Sequence, residues 1–288
     1  AEYRRLDEER EALNRLLARL TRYAPGGFVL GAAVTVVVQS SSATSGVVVA
    51  LVEAGTISFR GSLPIFLGAN VGTTSTAWLV AANATILGPF LIVLSALLMI
   101  PPGRISLLGR SVFYLGVVLL ALQLISNYVA PLKDSAEIAA WFQYANSPLI
   151  GLAVGIVATI LVQSSSVVVG LTVIAVSQGL LMTEDVVPIV LGANIGTTST
   201  ALIASFSMGL AARRAAIVNV IFNIAGVLAF LPFMDAFGSF VIGLTGRGAP
   251  AVATVHLLFN VGVAVLGFLL MPLIIRFLDP KEPAPAPA

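Results

Sequence analysis

One pattern occurs twice along the chain, at a constant spacing. Gln39-Ser40-Ser41-Ser42 recurs as Gln163-Ser164-Ser165-Ser166, Pro64 as Pro188, and Gly68-Ala69-Asn70 as Gly192-Ala193-Asn194. Gly72-Thr73-Thr74-Ser75-Thr76-Ala77 recurs as Gly196-Thr197-Thr198-Ser199-Thr200-Ala201. The second copy stands 124 residues after the first at every landmark, since 163 − 39 and 192 − 68 agree. Nothing was inserted or lost between the motifs, so the chain is an internal duplication.

Each Gln-Ser-Ser-Ser run interrupts an apolar stretch: Val34 to Val38 precede the first and Val47 to Leu51 follow it. Polar groups inside a hydrophobic segment are costly unless they bind something. Only 10% of the 288 residues are charged and 58% are hydrophobic, against about 25% charged in a soluble domain. The composition implies an all-α integral membrane protein and leaves no room for a second soluble domain. Cysteine is absent, which excludes disulfides and thiolate metal sites. The chain opens at Ala1 without a signal-peptide pattern and reads as a trimmed fragment.

Residues 1–24 read as an amphipathic helix, with Leu6, Leu13, Leu16, Leu17 and Leu20 at helical spacing, stopping near Ala24 before Pro25. It lies on the membrane surface or pairs as a dimerising coil. Repeat 1 occupies 25–147 and repeat 2 occupies 148–278. The apolar stretch 28–54 would be about 40 Å long as one helix, against a bilayer core of about 30 Å. It suits a re-entrant hairpin with the polar run at its tip. Residues 64–82 read as a membrane helix broken by Gly68 and Gly72. Plainer helices follow at 86–100 and 111–130, and an interfacial segment at 132–147. Repeat 2 adds helices at about 215–233 and 251–275. The Pro/Ala-rich residues 279–288 form an extended tail.

If each hairpin enters and leaves on one side, a repeat crosses the membrane three times, and the second repeat is inverted relative to the first. This arrangement sorts the fifteen basic residues. Only Lys133 and Arg247 fall on one side, and the other thirteen on the opposite side, six of them from the N-terminal helix. The positive-inside rule places both termini in the cytoplasm, and the expected location is a plasma (inner) membrane.

Inverted repeats with hairpins and broken helices point to a transporter. The tips present Gln39, Gln163 and many hydroxyls, and the broken helices add Asn70, Asn194 and the Thr-Thr-Ser-Thr runs. Neutral oxygens suit small cations such as sodium, and helix N-termini and hydroxyl donors suit an oxyanion. No Lys or Arg falls inside a membrane segment, so co-bound cations would have to offset a buried anion's charge.

These motifs resemble the type II sodium-dependent phosphate cotransporters, whose paired Gln-Ser-Ser-Ser runs are each followed by Gly-Ala-Asn-x-Gly-Thr-Thr-Ser-Thr. The resemblance covers about residues 28–275 and includes Asn219 to Asn223 and His256 to Asn260. It implies import of inorganic phosphate by sodium-driven alternating access, with sodium as a co-transported ligand and no cofactor. It implies a site of Gln39, Ser40, Ser41, Ser42, Thr44, Ser45, Asn70, Thr73, Thr74 and Ser75. Repeat 2 contributes Gln163, Ser164, Ser165, Ser166, Asn194, Thr197, Thr198 and Ser199. Sodium falls at Gln39, Ser40, Thr73, Thr74 and at Gln163, Ser164, Thr197, Thr198. Its implied partners are phosphate, sodium and the bilayer, with a homodimer left open and no nucleic acid. One departure stands out: Ala43-Thr44-Ser45 becomes Val167-Val168-Val169, so the halves are chemically unequal.

Three rivals carry other consequences. A transporter of another oxyanion (sulfate, arsenate or a carboxylate) fits the same motifs. An ion channel would need a continuous pore. A membrane serine hydrolase would need a base and an orienting carboxylate, and the chain offers one histidine and no buried acid, so no enzyme is expected. His256 is expected to be hydrogen-bonded within its helix, Asn223 and Asn260 to bond across helices, and Gly26, Gly31, Gly151 and Gly155 to make close helix contacts.

Overall fold

The computed structural model describes residues 2–101, 103–131, 135 and 147–279. The expected interfacial segment, apart from Ser135 and Ser147, and the Pro/Ala tail lie outside the described residues, apart from Asp279. Among the described residues the regular structure is all helical. Helix α1 spans Glu2–Thr21 and α2 spans Ala24–Val38, with Pro25 in its first turn, where a missing N–H costs nothing. The two meet at 120° between Asn14–Thr21 and Ala24–Val38.

Helix α2 ends at Gln39, which takes the left-handed conformation at φ 59°, and Ser40 is extended. The Ser40 hydroxyl then caps α3 (Ser41–Glu53) by accepting the Ala43 N–H at 3.1 Å. After α4 (Phe59–Ala81), α5 (Gly88–Met99) and α6 (Arg104–Val129), the device is repeated. Helix α7 (Pro148–Val162) ends at left-handed Gln163, also at φ 59°, and Ser164 caps α8 (Ser165–Ser177) through the Val167 N–H. The remainder is α9 (Val186–Ser205), α10 (Leu210–Phe230), α11 (Met234–Thr245) and α12 (Ala249–Leu278).

Glycines set how these helices pack. A methyl on Gly31 would sit 2.1 Å from the Ile65 carbonyl oxygen, and one on Gly68 would sit 1.9 Å from that of Phe28. Gly27 faces Pro64, and Gly72 faces the Ala32 carbonyl. Residue numbers rise together on both helices, so α2 and α4 run in parallel with backbones in contact. Parallel neighbours separated by one short helix require that helix to run back, so α2 and α3 form a hairpin with its tip at Gln39–Ser40. Repeat 2 copies this: Gly155 meets the Ile189 carbonyl, and Gly192 and Gly196 meet those of Leu152 and Ile156. At about 1.5 Å per residue, the 15 residues of α2 and the 13 of α3 are each shorter than a bilayer core.

Two expectations need correction, and one helix is added. The helix over 64–82 is not broken: α4 is continuous through Gly68 and Gly72, and α9 through Gly192 and Gly196. The glycines that suggested a loosened helix instead admit a neighbouring backbone. The break falls beyond α4, where Phe59–Ala81 and Ala84–Met99 meet at 92°. The expected crossing at 86–100 is the 12-residue α5, about 18 Å long and folded back along α6. Helix α11 was not foreseen.

Direction follows from contacts at the helix ends. Arg60 at the start of α4 pairs with Asp279 at the end of α12, and Arg214 donates to the Leu278 carbonyl at 3.1 Å. At the other end of α12, Arg247 pairs with Glu184 at 2.8 Å and the Gly248 N–H donates to Thr183, just ahead of α9. Helices α4 and α9 therefore start at opposite ends of α12 and run in opposite directions, which fits an inverted pair of repeats. Arg60, Arg213, Arg214 and Arg276 share one end, and Arg247 stands at the other. Four helices are long and apolar enough to cross a membrane alone, or six crossings result if each sharply bent pair counts as one. This is a multi-pass membrane protein.

Candidate functional site

The two hairpins cross between the repeats. Helix α3 packs on α9 and α8 packs on α4, and the Ser42 hydroxyl reaches the Thr197 carbonyl at 3.5 Å. Ser41, Ser42, Thr44, Ser45, Asn70, Thr73 and Thr74 are buried, as are Ser165, Ser166, Asn194, Thr197 and Thr198. Gln39, Ser40, Ser75, Ser164 and Ser199 are half-buried, and Gln163 is exposed.

The glutamine amides are engaged within the protein. Gln39 Nε2 donates to the Val36 carbonyl and, at 3.4 Å, to Ser75, while its Oε1 accepts the Thr76 hydroxyl at 2.7 Å. Gln163 repeats this with the Ile160 carbonyl and Thr200. Each glutamine thus closes its own turn and ties the tip to the parallel helix beside it. Thr76 and Thr200 were overlooked among the site residues, although the shared Thr-Thr-Ser-Thr motif contains both.

The hydroxyls of the two Thr-Thr-Ser runs all point their protons back into their own helices. Thr73 donates to Ala69 at 3.0 Å, Thr74 to Val71 at 2.8 Å and Ser75 to Gly72 at 2.9 Å. Thr197, Thr198 and Ser199 donate in the same way to Ala193, Ile195 and Gly196. A hydroxyl that has donated its proton presents only lone pairs. Their oxygens are therefore neutral acceptors, of which Ser75 already accepts Gln39 Nε2 at 3.4 Å. The first N–H groups of α3 and α8 have no preceding turn to accept them and offer donors at the tips.

The family is decided by comparison. The Na+/Pi-cotransporter family model matches residues 7–127 and 136–272. The chain belongs to the Na+/Pi cotransporter family. It is 34% identical to the uncharacterized protein YqeW of Bacillus subtilis over 262 residues, 89% of this chain and 84% of that protein. It is 30% identical over 251 residues to YjbB of Escherichia coli K12, named a putative inorganic phosphate export protein, covering 86% of this chain and 46% of that one. A third match is the rabbit sodium-dependent phosphate transport protein 2A, 39% identical over 145 residues, 48% of this chain and 22% of the relative. The chain thus spans less than half of the latter two. No solved structure matches it significantly.

Within this family member the halves differ as the sequence suggests. In repeat 1, Thr35 donates to Thr44 at 3.1 Å and Thr44 to the Ser40 carbonyl at 2.9 Å. In repeat 2 the counterpart of Thr44 is Val168, and the buried Thr159 hydroxyl has no partner. Ser45 is also buried without a partner. Of the asparagines, Asn70 donates to Asn223 at 3.2 Å, linking α4 to α10 as expected of Asn223. Asn260 bonds only within its own helix, to the His256 carbonyl at 2.8 Å, which departs from the expected bond across helices. His256 also departs from expectation: it is fully buried and neither ring nitrogen has a hydrogen-bond partner. Among the described residues no three acidic or histidine side chains converge as a metal cluster.

Proposed function

We propose that the chain is a secondary transporter that imports inorganic phosphate with sodium by alternating access, binding both where the hairpin tips meet the Thr-Thr-Ser runs. The observation that carries this reading is the direction of the hydroxyl protons. Six hydroxyls of α4 and α9 spend their protons within their own helices, and the lone pairs that remain carry no charge, which suits sodium and repels an anion. The N-termini of α3 and α8 bring N–H donors to the same place, which suits an oxyanion. A phosphate among neutral groups at depth is favourable only with cations beside it, so the two ligands depend on each other. In this reading the glutamines are positioning residues that hold the tips.

Both hairpins are re-entrant in this reading, and both termini are cytoplasmic in an inner membrane, supported by the shared end of Arg60, Arg213, Arg214 and Arg276. An open cavity of about 730 Å³ lies at that end, lined in part by Ser58, Arg60, Arg276 and Asp279.

The test is flux of [32P]phosphate in proteoliposomes of defined orientation. Uptake should require an inward sodium gradient, and reversing the gradient should drive efflux. The name of the E. coli relative makes that second arm informative about physiological direction. Equal flux in sodium and in choline would overturn the reading.

A further inference from the structure

Among the described residues, helix α12 carries the largest group of unexplained polar atoms. Both ring nitrogens of His256 and Oδ1 of Asn260 are buried and without hydrogen-bond partners, although both residues are fully excluded from solvent. Buried polar atoms are nearly always paired, so each unpaired one calls for a partner from outside the chain or for a functional role. Asn260 cannot relieve its own case by flipping. Its Nδ2 already donates to the His256 carbonyl at 2.8 Å, and a flip would set oxygen against oxygen.

Helical register says where the pair points. His256, Asn260 and Gly267 are spaced by four and seven residues, so they share one face of α12. That face meets α4, because a methyl on Gly267 would touch the Leu67 side chain at 2.7 Å. Helix α4 runs antiparallel to α12, and Leu67, Asn70 and Thr74 share one of its faces. Seven residues from the Leu67–Gly267 contact, about 10 Å along each axis, Asn260 stands at the depth of Thr74. Thr74 is one of the hydroxyls that has turned its proton inward.

We infer that His256 and Asn260 form a selectivity wall of the transport site, recognising the P–OH group that phosphate carries and sulfate lacks. The inference rests on the phosphate-transport reading above. Near neutral pH, phosphate retains at least one P–OH, whereas sulfate is fully deprotonated. Asn260 Oδ1 can only accept, so it receives the P–OH proton. A neutral imidazole has one donor and one acceptor, and its N–H donates to an unprotonated phosphate oxygen. Facing sulfate, the same Oδ1 meets an oxyanion with no hydrogen between them. A site built to pair with a hydroxyl rejects the analogue without it, because its buried group is left unpaired. Arsenate, which keeps an As–OH, passes the same filter.

The experiment uses the full chain in nanodiscs with sodium present. It measures [32P]phosphate binding, its displacement by arsenate and by sulfate, and the melting temperature without anion. Unaltered protein should be displaced by arsenate and not by sulfate. Asn260→Leu and His256→Phe should weaken phosphate at least fivefold and narrow the phosphate-to-sulfate ratio. His256→Gln, which keeps a donor and an acceptor, should restore much of both. Asn260→Leu should leave the anion-free melting temperature unchanged or raised, since it removes an unpaired oxygen. An unchanged phosphate-to-sulfate ratio in both Asn260→Leu and His256→Phe overturns the inference, whether or not stability falls. Failure of the unaltered protein to bind phosphate overturns the transport reading, and this inference with it.

Discussion

Thr76 donates its hydroxyl proton to Oε1 of Gln39 at 2.7 Å, tying a hairpin tip to the helix that runs parallel to it. Thr200 makes the same bond to Gln163. Glutamine is an unusual residue for a left-handed helix end, where a Cβ costs about 1–2 kcal/mol. The side chain compensates by bonding backward to its own turn and sideways to the threonine.

This bond yields a ranking. Gln39→Ala keeps the conformational cost and loses the bonds, whereas Gln39→Gly loses the bonds and removes the cost. The alanine variant should therefore melt below the glycine variant by an amount equivalent to about 1 kcal/mol. Thr76→Val should cost about 0.5–1.5 kcal/mol, the worth of one hydrogen bond. Thermal melts in detergent read all three, and an alanine variant as stable as the glycine variant would contradict the ranking.

The backbone contacts of the two parallel helix pairs predict intolerance to a single methyl. Gly68→Ala and Gly192→Ala place a carbon 1.9 and 2.1 Å from carbonyl oxygens that belong to the neighbouring helix. Each should cost about 1–3 kcal/mol or more and reduce the yield of folded protein. Gly46→Ala meets nothing within 4 Å and should be tolerated. Fluorescence size-exclusion profiles distinguish these outcomes.

Sidedness is testable because the chain has no cysteine of its own. Single cysteines at 213 and 276 should react with an impermeant maleimide from one face, and one at 247 from the other. Labelling of 213 and 247 from the same face would contradict the opposed directions of α4 and α9.

Unequal halves predict opposite effects from matched changes. Val168→Thr supplies the partner that buried Thr159 lacks and should raise the melting temperature. Thr44→Val leaves the Thr35 hydroxyl unpaired and should lower stability by about 1–3 kcal/mol. Sodium titrations on the same variants show whether either hydroxyl also touches the cation.

The sequence by itself determined the duplication, the membrane class and the polar tips. A constant offset and a polar run inside an apolar stretch are properties of residue order, independent of what the chain later packs against. It also placed Gly31 and Gly155 correctly as close helix contacts. The tertiary structure decided what residue order leaves ambiguous. Gly68 and Gly72 can loosen a helix or admit a neighbour, and only the position of α2 chose the second. Thr73 and Thr74 can donate to a ligand or to their own turn, and an unbroken α4 chose the turn. Gln39 and Gln163 read as ligands because their amides sit in a polar tip, yet a left-handed backbone aims those amides at Val36, Ile160 and two threonines. Helix α12 lies far along the chain from the first Thr-Thr-Ser run. Its face toward α4 exists only after folding, so the unpaired atoms of His256 and Asn260 left no signal in the sequence.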